Sequence, residues 1–243
     1  PELRNAFDDV LVAKLTDAFA ALGADPSVRA VVLAGEGKSF CAGADLAWMK
    51  RVVSYAPEEN QRDASALAAM FLAVDSCPKP VVGRVQGAAL GGGAGLVAVC
   101  DVAVAAEGTL LGTTEVRLGI VPGVISPFVV RKVGESHARR WFLTGERFDA
   151  AEALRAGLVH SVVPEGELDA EVDRVLDALL LGGPEALAVS KGLAQRMGRV
   201  PLGEALMEAT GVIAARRASA EGQEGMRAFL ERRRASWTGG RGS

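Results

Sequence analysis

One carboxylate and two loops of small residues are the parts of this sequence that could do chemistry. Glu115 stands in LLGTTEVRLGIVPG (110–123), among largely apolar neighbours. A carboxyl group held in an apolar pocket has its pKa raised, because burial penalises the charged form, and it can then exchange a proton near neutral pH. The competing reading is a surface glutamate paired with Arg117. The loops are SFCAGADLAWMK (39–50) and QGAALGGGAGL (86–96), each following a strand pattern and leading into a helix pattern. Gly and Ala leave main-chain N–H groups uncovered at a helix N-terminus, where the macrodipole adds partial positive charge. Two such loops facing each other would hold an oxyanion with backbone alone. That suits a reaction whose negative charge develops on a carbonyl oxygen, such as enolate formation from a thioester. Taken alone, GGG reads equally well as close packing of helix on strand.

Other chemistries find too few residues. His137 and His160 are the only histidines, which leaves no basis for a multi-histidine metal site and little for a His-containing triad. GESHARR around His137 misses the nucleophile-elbow pattern at its last position and reads as a helix start capped by Ser136. His160 sits in a strand-like stretch and reads as structural. GEGKSF (35–40) lacks the first glycine of a phosphate loop, Val32 standing in its place. GGGAGL is no dinucleotide fingerprint either, since the third glycine would fall on Leu96. Cys41, Cys77 and Cys100 form no CxxC pair and are odd in number, which argues for a reducing compartment, by default the cytoplasm.

The elements around the loops alternate. Leu11, Leu15, Ala18, Phe19 and Leu22 recur at helical spacing, and AVVLAG (30–35) follows as a buried strand. Pro57 opens a second helix whose Leu67, Met70, Phe71 and Val74 share one face, and CPKP (77–80) stops it. PVVGRV (80–85) and DVAVAA (101–106) are strands separated by the glycine loop and a helix candidate. Such alternation predicts an α/β chain with a largely parallel sheet. Beyond about residue 135 helices dominate. A soft boundary near residue 185 divides an α/β core (1–185) from a helical C-terminal region (186–243), which ends in a short GGRGS tail.

The 243 residues are 49% hydrophobic and 23% charged, with a formal net charge of −3, enough to bury a sizeable core as an ordinary soluble protein. The acidic balance gives no global attraction to nucleic acid, and no apolar run reaches the roughly 18 residues of a membrane span. PELRNAFDD, the first stretch, lacks the profile of a signal peptide and begins directly on a helix-like pattern, so a natural N-terminal segment is expected to be missing.

In order and spacing, FCAGADL, GAALGGG with the following CD, and TEVRLGIVPG resemble the enoyl-CoA hydratase/isomerase (crotonase) family. The likeness continues through LTGERFDAAEALRAGLVHSVVP (143–164) and EGMRAFLERR (224–233), so it covers nearly the whole chain. The resemblance implies a spiral of ββα units with a helical C-terminal trimerisation region, preceded by a strand segment that this chain lacks. It implies a homotrimer or a dimer of trimers, an acyl-CoA thioester as substrate, and no cofactor or metal, coenzyme A being part of the substrate. The oxyanion hole falls on the N–H groups of Ala44 and Gly92, and Glu115 matches the second catalytic glutamate of the hydratases. Ala42, Asp45, Leu46, Trp48, Gly91 and Gly95 fall on the substrate-binding loops, and Phe229 and Arg232 match C-terminal positions that contact CoA, with Arg where Lys is usual. For Asp45, capping the helix from Leu46 stays open beside a contact to the site. For Trp48 and Met49, a place in the core stays open beside the acyl pocket.

The sequence departs from the hydratase pattern at Gly95, where ordinary hydratases carry their other glutamate. GGGAGL, GADLAWMK and GIVPGVISPFVVRKVG look like bacterial enzymes that hydrate 3-methylglutaconyl-CoA or related branched thioesters, whose distal carboxylate would help to hold the water. Alternatives are a Δ3,Δ2-enoyl-CoA isomerase using Glu115 alone, or a non-catalytic acyl-CoA or RNA-binding member.

Overall fold

Valine-rich runs build the sheets, because β-branched side chains pack well on a pleated surface. In the computed structural model, which describes residues 1–239, the strands are β1 (Val31–Ala34), β2 (Val81–Val85), β3 (Ala88–Leu90), β4 (Val102–Ala106), β5 (Leu110–Gly112), β6 (Arg147–Asp149) and β7 (Ser161–Val163). Residues 240–243, the rest of the GGRGS tail, lie outside the described residues. One sheet runs β1-β2-β4-β7, parallel throughout, and the other runs β3-β5-β6, with β3 parallel and β6 antiparallel to β5. From β2 to β5 consecutive strands thus alternate between sheets. β2, β3 and α4 (Gly92–Val99) form one ββα unit, and β4 and β5 begin the next, which is the spiral the resemblance implied.

Two of the expected elements differ in detail. β1 is an edge strand with alternating burial, and Val32 is exposed; it is not buried on both faces as its unbroken apolar run suggested. The helix containing His137, α5 (Ser126–Thr144), is broken at Gly134 (φ 74°, ψ 166°), so its second half restarts at that glycine and not at a Ser136 cap. His137 faces Trp141, ring centroids 5.9 Å apart. His160 is structural: its Nδ1 accepts the Ala103 N–H at 3.0 Å.

Helix α1 (Asp9–Ala24) packs on α3 (Pro57–Asp75), whose Met70, Phe71 and Val74 are fully buried. Between them and the sheets lies α4, buried from Gly93 to Val99, as an apolar helix without a polar face must be. Helix α7 (Leu168–Leu180) covers the opposite face of the larger sheet with Leu168 and Val172 against Val82, Val104 and Ala106. The C-terminal helices are α8 (Pro184–Arg196), α9 (Leu202–Ala218) and α10 (Ala220–Leu230). Asp101 fastens α8 to the core: its Oδ2 accepts the Val81 N–H at 2.7 Å and Lys191 Nζ at 2.8 Å.

The N-terminal segment holds the first small-residue loop. Asn5 Nδ2 donates to Glu36 O and Ser39 O, and the Ala42 N–H donates to Arg4 O at 3.0 Å. Phe7 brackets Ala44: its N–H donates to Gly43 O at 2.7 Å, and its carbonyl accepts the Asp45 N–H at 2.8 Å. Its buried ring lies so close to the glycine run that a Cβ on Gly92 would stand 2.6 Å from Cε2. One residue therefore holds both loops. Phe7→Ala is expected to lower unfolding free energy by about 3–5 kcal/mol, the cost of emptying a buried aromatic site, as read from urea denaturation.

Candidate active site

The two loops meet as main chain. The Cys41 N–H donates to Ala88 O at 2.9 Å and the Leu90 N–H to Cys41 O at 3.0 Å, so the loops run side by side like strands for one bridge. Beyond the bridge Gly43 (φ 100°) presses on Leu90, whose carbonyl oxygen is 3.2 Å from where a Cβ would be. Gly91 (φ 53°, ψ −120°) turns the chain into α4, a conformation that side chains disfavour, and its N–H donates to Gly112 O at 2.8 Å. Cys41 is no nucleophile here, since burial pushes its thiol up to about 11.

Glu115 completes the arrangement. It opens a 3₁₀ turn, Glu115–Leu118, directly after β5, and Gly119 in the left-handed region (φ 73°) ends that turn. A Cβ on Gly91 would lie 3.4 Å from Glu115 Oε1 and 4.0 Å from Gly43 Cα. The carboxylate thus abuts the point where the loops touch. Burial holds its pKa above the ordinary glutamate value, and its Oε2 is buried without a hydrogen-bond partner. Among the described residues no ion pair joins it to Arg117, which is exposed and lies against Gly145. The surface-pair reading of Glu115 is therefore set aside.

Ala44 and Gly92 stand one residue beyond Gly43 and Gly91. Among the described residues neither N–H donates to another group of the chain. Gly92 is the first residue of α4, where the helix leaves its N–H groups unsatisfied and partly positive. A carboxyl group of raised pKa and two uncommitted N–H donors can together move a proton beside a carbonyl and stabilise the charge that forms on its oxygen.

The remaining predicted site residues separate. Ala42 lies half-buried in the first loop and Leu46 is exposed at its end. Asp45 caps α2 (Leu46–Val52), its Oδ1 accepting the N–H groups of Ala47 and Trp48 at 2.8 and 2.9 Å. Trp48 takes the core place of its two readings, buried with its indole N–H donating to Asp63 at 3.0 Å. Gly95 is buried, and Ile125 and Phe71 crowd its Cα. Phe229 is exposed near the end of α10, and Arg232 follows it with φ 54°; α10 packs chiefly on α8 and α9, not on the loops. Sequence reasoning missed Phe7 and Ile125, because each acts by contact with a glycine distant in the chain. Among the described residues no cluster of His, Cys, Asp and Glu could hold a metal ion, and no helix is long and apolar enough to cross a membrane.

The sequence model of the family described as Enoyl-CoA hydratase/isomerase matches residues 1–240. The chain is 34% identical to the crotonyl-CoA hydratase of Syntrophomonas wolfei, over 98% of this chain and 91% of that protein. Among solved structures, Pseudomonas aeruginosa AtuE superposes with a TM-score of 0.94 at 38% identity, covering 98% of this chain and 93% of the other. An enoyl-CoA hydratase from Shewanella pealeana gives 0.93 at 38%, covering 97% and 89%.

The raised pKa has a consequence for stability. Between the ordinary glutamate pKa and the raised one, the folded protein holds a proton that the unfolded chain has released, so stability falls as pH rises through that window. Glu115→Gln is expected to melt higher than the parent at pH 7 to 8, with the difference shrinking towards pH 4, as measured by melting temperature across pH.

Proposed function

Because the chain belongs to the enoyl-CoA hydratase/isomerase family, with its chemistry on acyl-CoA thioesters, we propose that it adds water to an α,β-unsaturated acyl-CoA. In this reading the thioester oxygen lies between the N–H groups of Ala44 and Gly92. Water attacks the β-carbon, the negative charge collects on that oxygen as an enolate, and Glu115 carries the proton. The observation that carries the reading is the half-buried Glu115 carboxyl group set against Gly91, its Oε2 buried and without a hydrogen-bond partner, one residue from an uncommitted N–H. The raised pKa suits a group that must both take and give a proton near neutrality.

For the acyl group we favour 3-methylglutaconyl-CoA or a related branched thioester with a distal carboxylate. Gly95 brings no carboxylate to the cleft, so a polar group on the substrate would take over the holding of water. The same observation favours a second reading, a Δ3,Δ2-enoyl-CoA isomerase, for which one base suffices. Ala42, Leu46, Phe229 and Arg232 are proposed to contact the CoA portion, the last two across a subunit boundary. Assembly as a trimer or dimer of trimers is supported by Leu202, Leu206, Met207, Ile213 and Phe229, large apolar side chains exposed on α9 and α10. With three unpaired cysteines, we place the protein in the reducing cytoplasm.

Two measurements test this. Glu115→Gln keeps the size of the side chain and removes the titrating group, so kcat should fall by roughly 10²–10⁴-fold; activity within about tenfold of the parent would dismiss Glu115 as proton carrier. A panel of CoA thioesters with and without a distal carboxylate, followed by mass, should gain one water, and most readily where the carboxylate is present. A 3-enoyl-CoA that becomes 2-enoyl-CoA without gaining mass would instead establish the isomerase.

A further inference from the structure

Resting on the hydratase reading above, we infer that Ile125 is a specificity-determining residue: it fills the space that a side chain at position 95 would need, committing the cleft to one carboxylate and to substrates that bring their own polar group to hold the attacking water.

Gly95 lies one helical turn beyond Gly91, to whose carbonyl its N–H donates at 3.2 Å, so it stands about 5.4 Å further along α4 from the contact with Glu115. A Cβ there would collide with Ile125 Cγ2, and would stand 2.9 Å from Phe71 Cε1 and 3.0 Å from Ile125 Cβ. Ile125 makes the severest of these contacts, and both neighbours are held in place. Ile125 is buried and β-branched, with one strongly preferred χ1 rotamer. It leads into α5, where Ser126 Oγ donates to Gly123 O and Pro127 stiffens the first turn. Phe71 is fully buried between Phe7 and Phe128, its ring centroid 6.2 and 6.0 Å from theirs.

The wall past Glu115 is therefore built of hydrocarbon that can neither donate nor accept a hydrogen bond. A buried water needs two to four polar partners to be held in place. Glu115 provides one, and the Ile125 and Phe71 side chains provide none. An oxygen-bearing group at the far end of the acyl chain would supply another, and the cleft selects a substrate that carries one.

The test combines stability with activity. Gly95→Ala should lower the melting temperature by roughly 3–10 °C, from overpacking in a chain of this size, and adding Ile125→Ala to it should cost less than Ile125→Ala alone. Gly95→Glu with Ile125→Ala should raise kcat/KM for crotonyl-CoA, which has no distal polar group, at least about tenfold over the parent, while Gly95→Glu with Ile125 retained gains nothing. A Gly95→Ala protein that melts with the parent, a cycle whose two changes simply add, or a folded double variant with no gain on crotonyl-CoA would each overturn the role of Ile125. A parent that hydrates neither crotonyl-CoA nor 3-methylglutaconyl-CoA would instead overturn the functional reading, and the melting cycle would still report on the packing.

Discussion

The cleft rests on the approach of two lengths of main chain with nothing between them. Gly43 presses on the Leu90 carbonyl, and Gly91 lies against both Gly43 and Glu115, each glycine at a positive φ that side chains disfavour. At the edge of this contact two N–H groups are left without a partner in the chain. The surroundings hold the contact in place. Phe7 secures the first loop through two backbone hydrogen bonds and supports the second with its ring. Gly112 receives the Gly91 N–H, and the Cys41 bridge fixes the register between the loops. The sheets matter to function because β3 and β5 deliver Gly91 and Glu115 from neighbouring, hydrogen-bonded strand ends.

Three carboxylates near these loops meet different fates, and the difference separates structure from chemistry. Asp45 accepts two N–H groups at the start of α2, and Asp101 accepts Val81 N–H and Lys191. Both are committed to hydrogen bonds within the fold. Glu115 is buried with an oxygen that has no partner, and its pKa is raised by that burial. Folding alone gives no reason to keep such a group. The acceptor and the two donors lie at one point of the fold and are complementary in character, which is the ground for the functional reading proposed above.

Much of this was legible in the sequence. Gly and Ala in two strand-to-helix loops marked exposed backbone, which needs no long-range information; the glutamate in its apolar run read from pattern alone more readily as a surface partner of Arg117, and only the family resemblance shifted it towards a buried acid. The strands β1, β2 and β4 announced themselves through valine runs. β3, β5 and β6 did not, because three residues are too few to show a period, and AAL, LLG and RFD have no common pattern. The second sheet that positions Glu115 was therefore invisible as a sheet. Trp48 could not be settled either: a large residue beside the first loop serves pocket and core equally well until its indole finds Asp63. Phe7 and Ile125 were silent for a related reason. What makes them matter is the glycine each one faces, and that pairing exists only once the chain is folded.

Gly95 shows how an absence in sequence becomes a presence in space. Read linearly, it is a position where a carboxylate is missing, which suggests a vacancy for water. In the fold the vacancy does not exist, because Ile125 and Phe71 occupy it. Losing a charged side chain there without filling its volume would have left a cavity in the middle of α4's packing, and cavities destabilise in proportion to their size. The Ile125 contact fills that space with hydrocarbon. In the proposed reading, proton transfer by Glu115 does not depend on that position; what depends on it is the holding of water, which falls to the substrate or, in an isomerase, is not required at all.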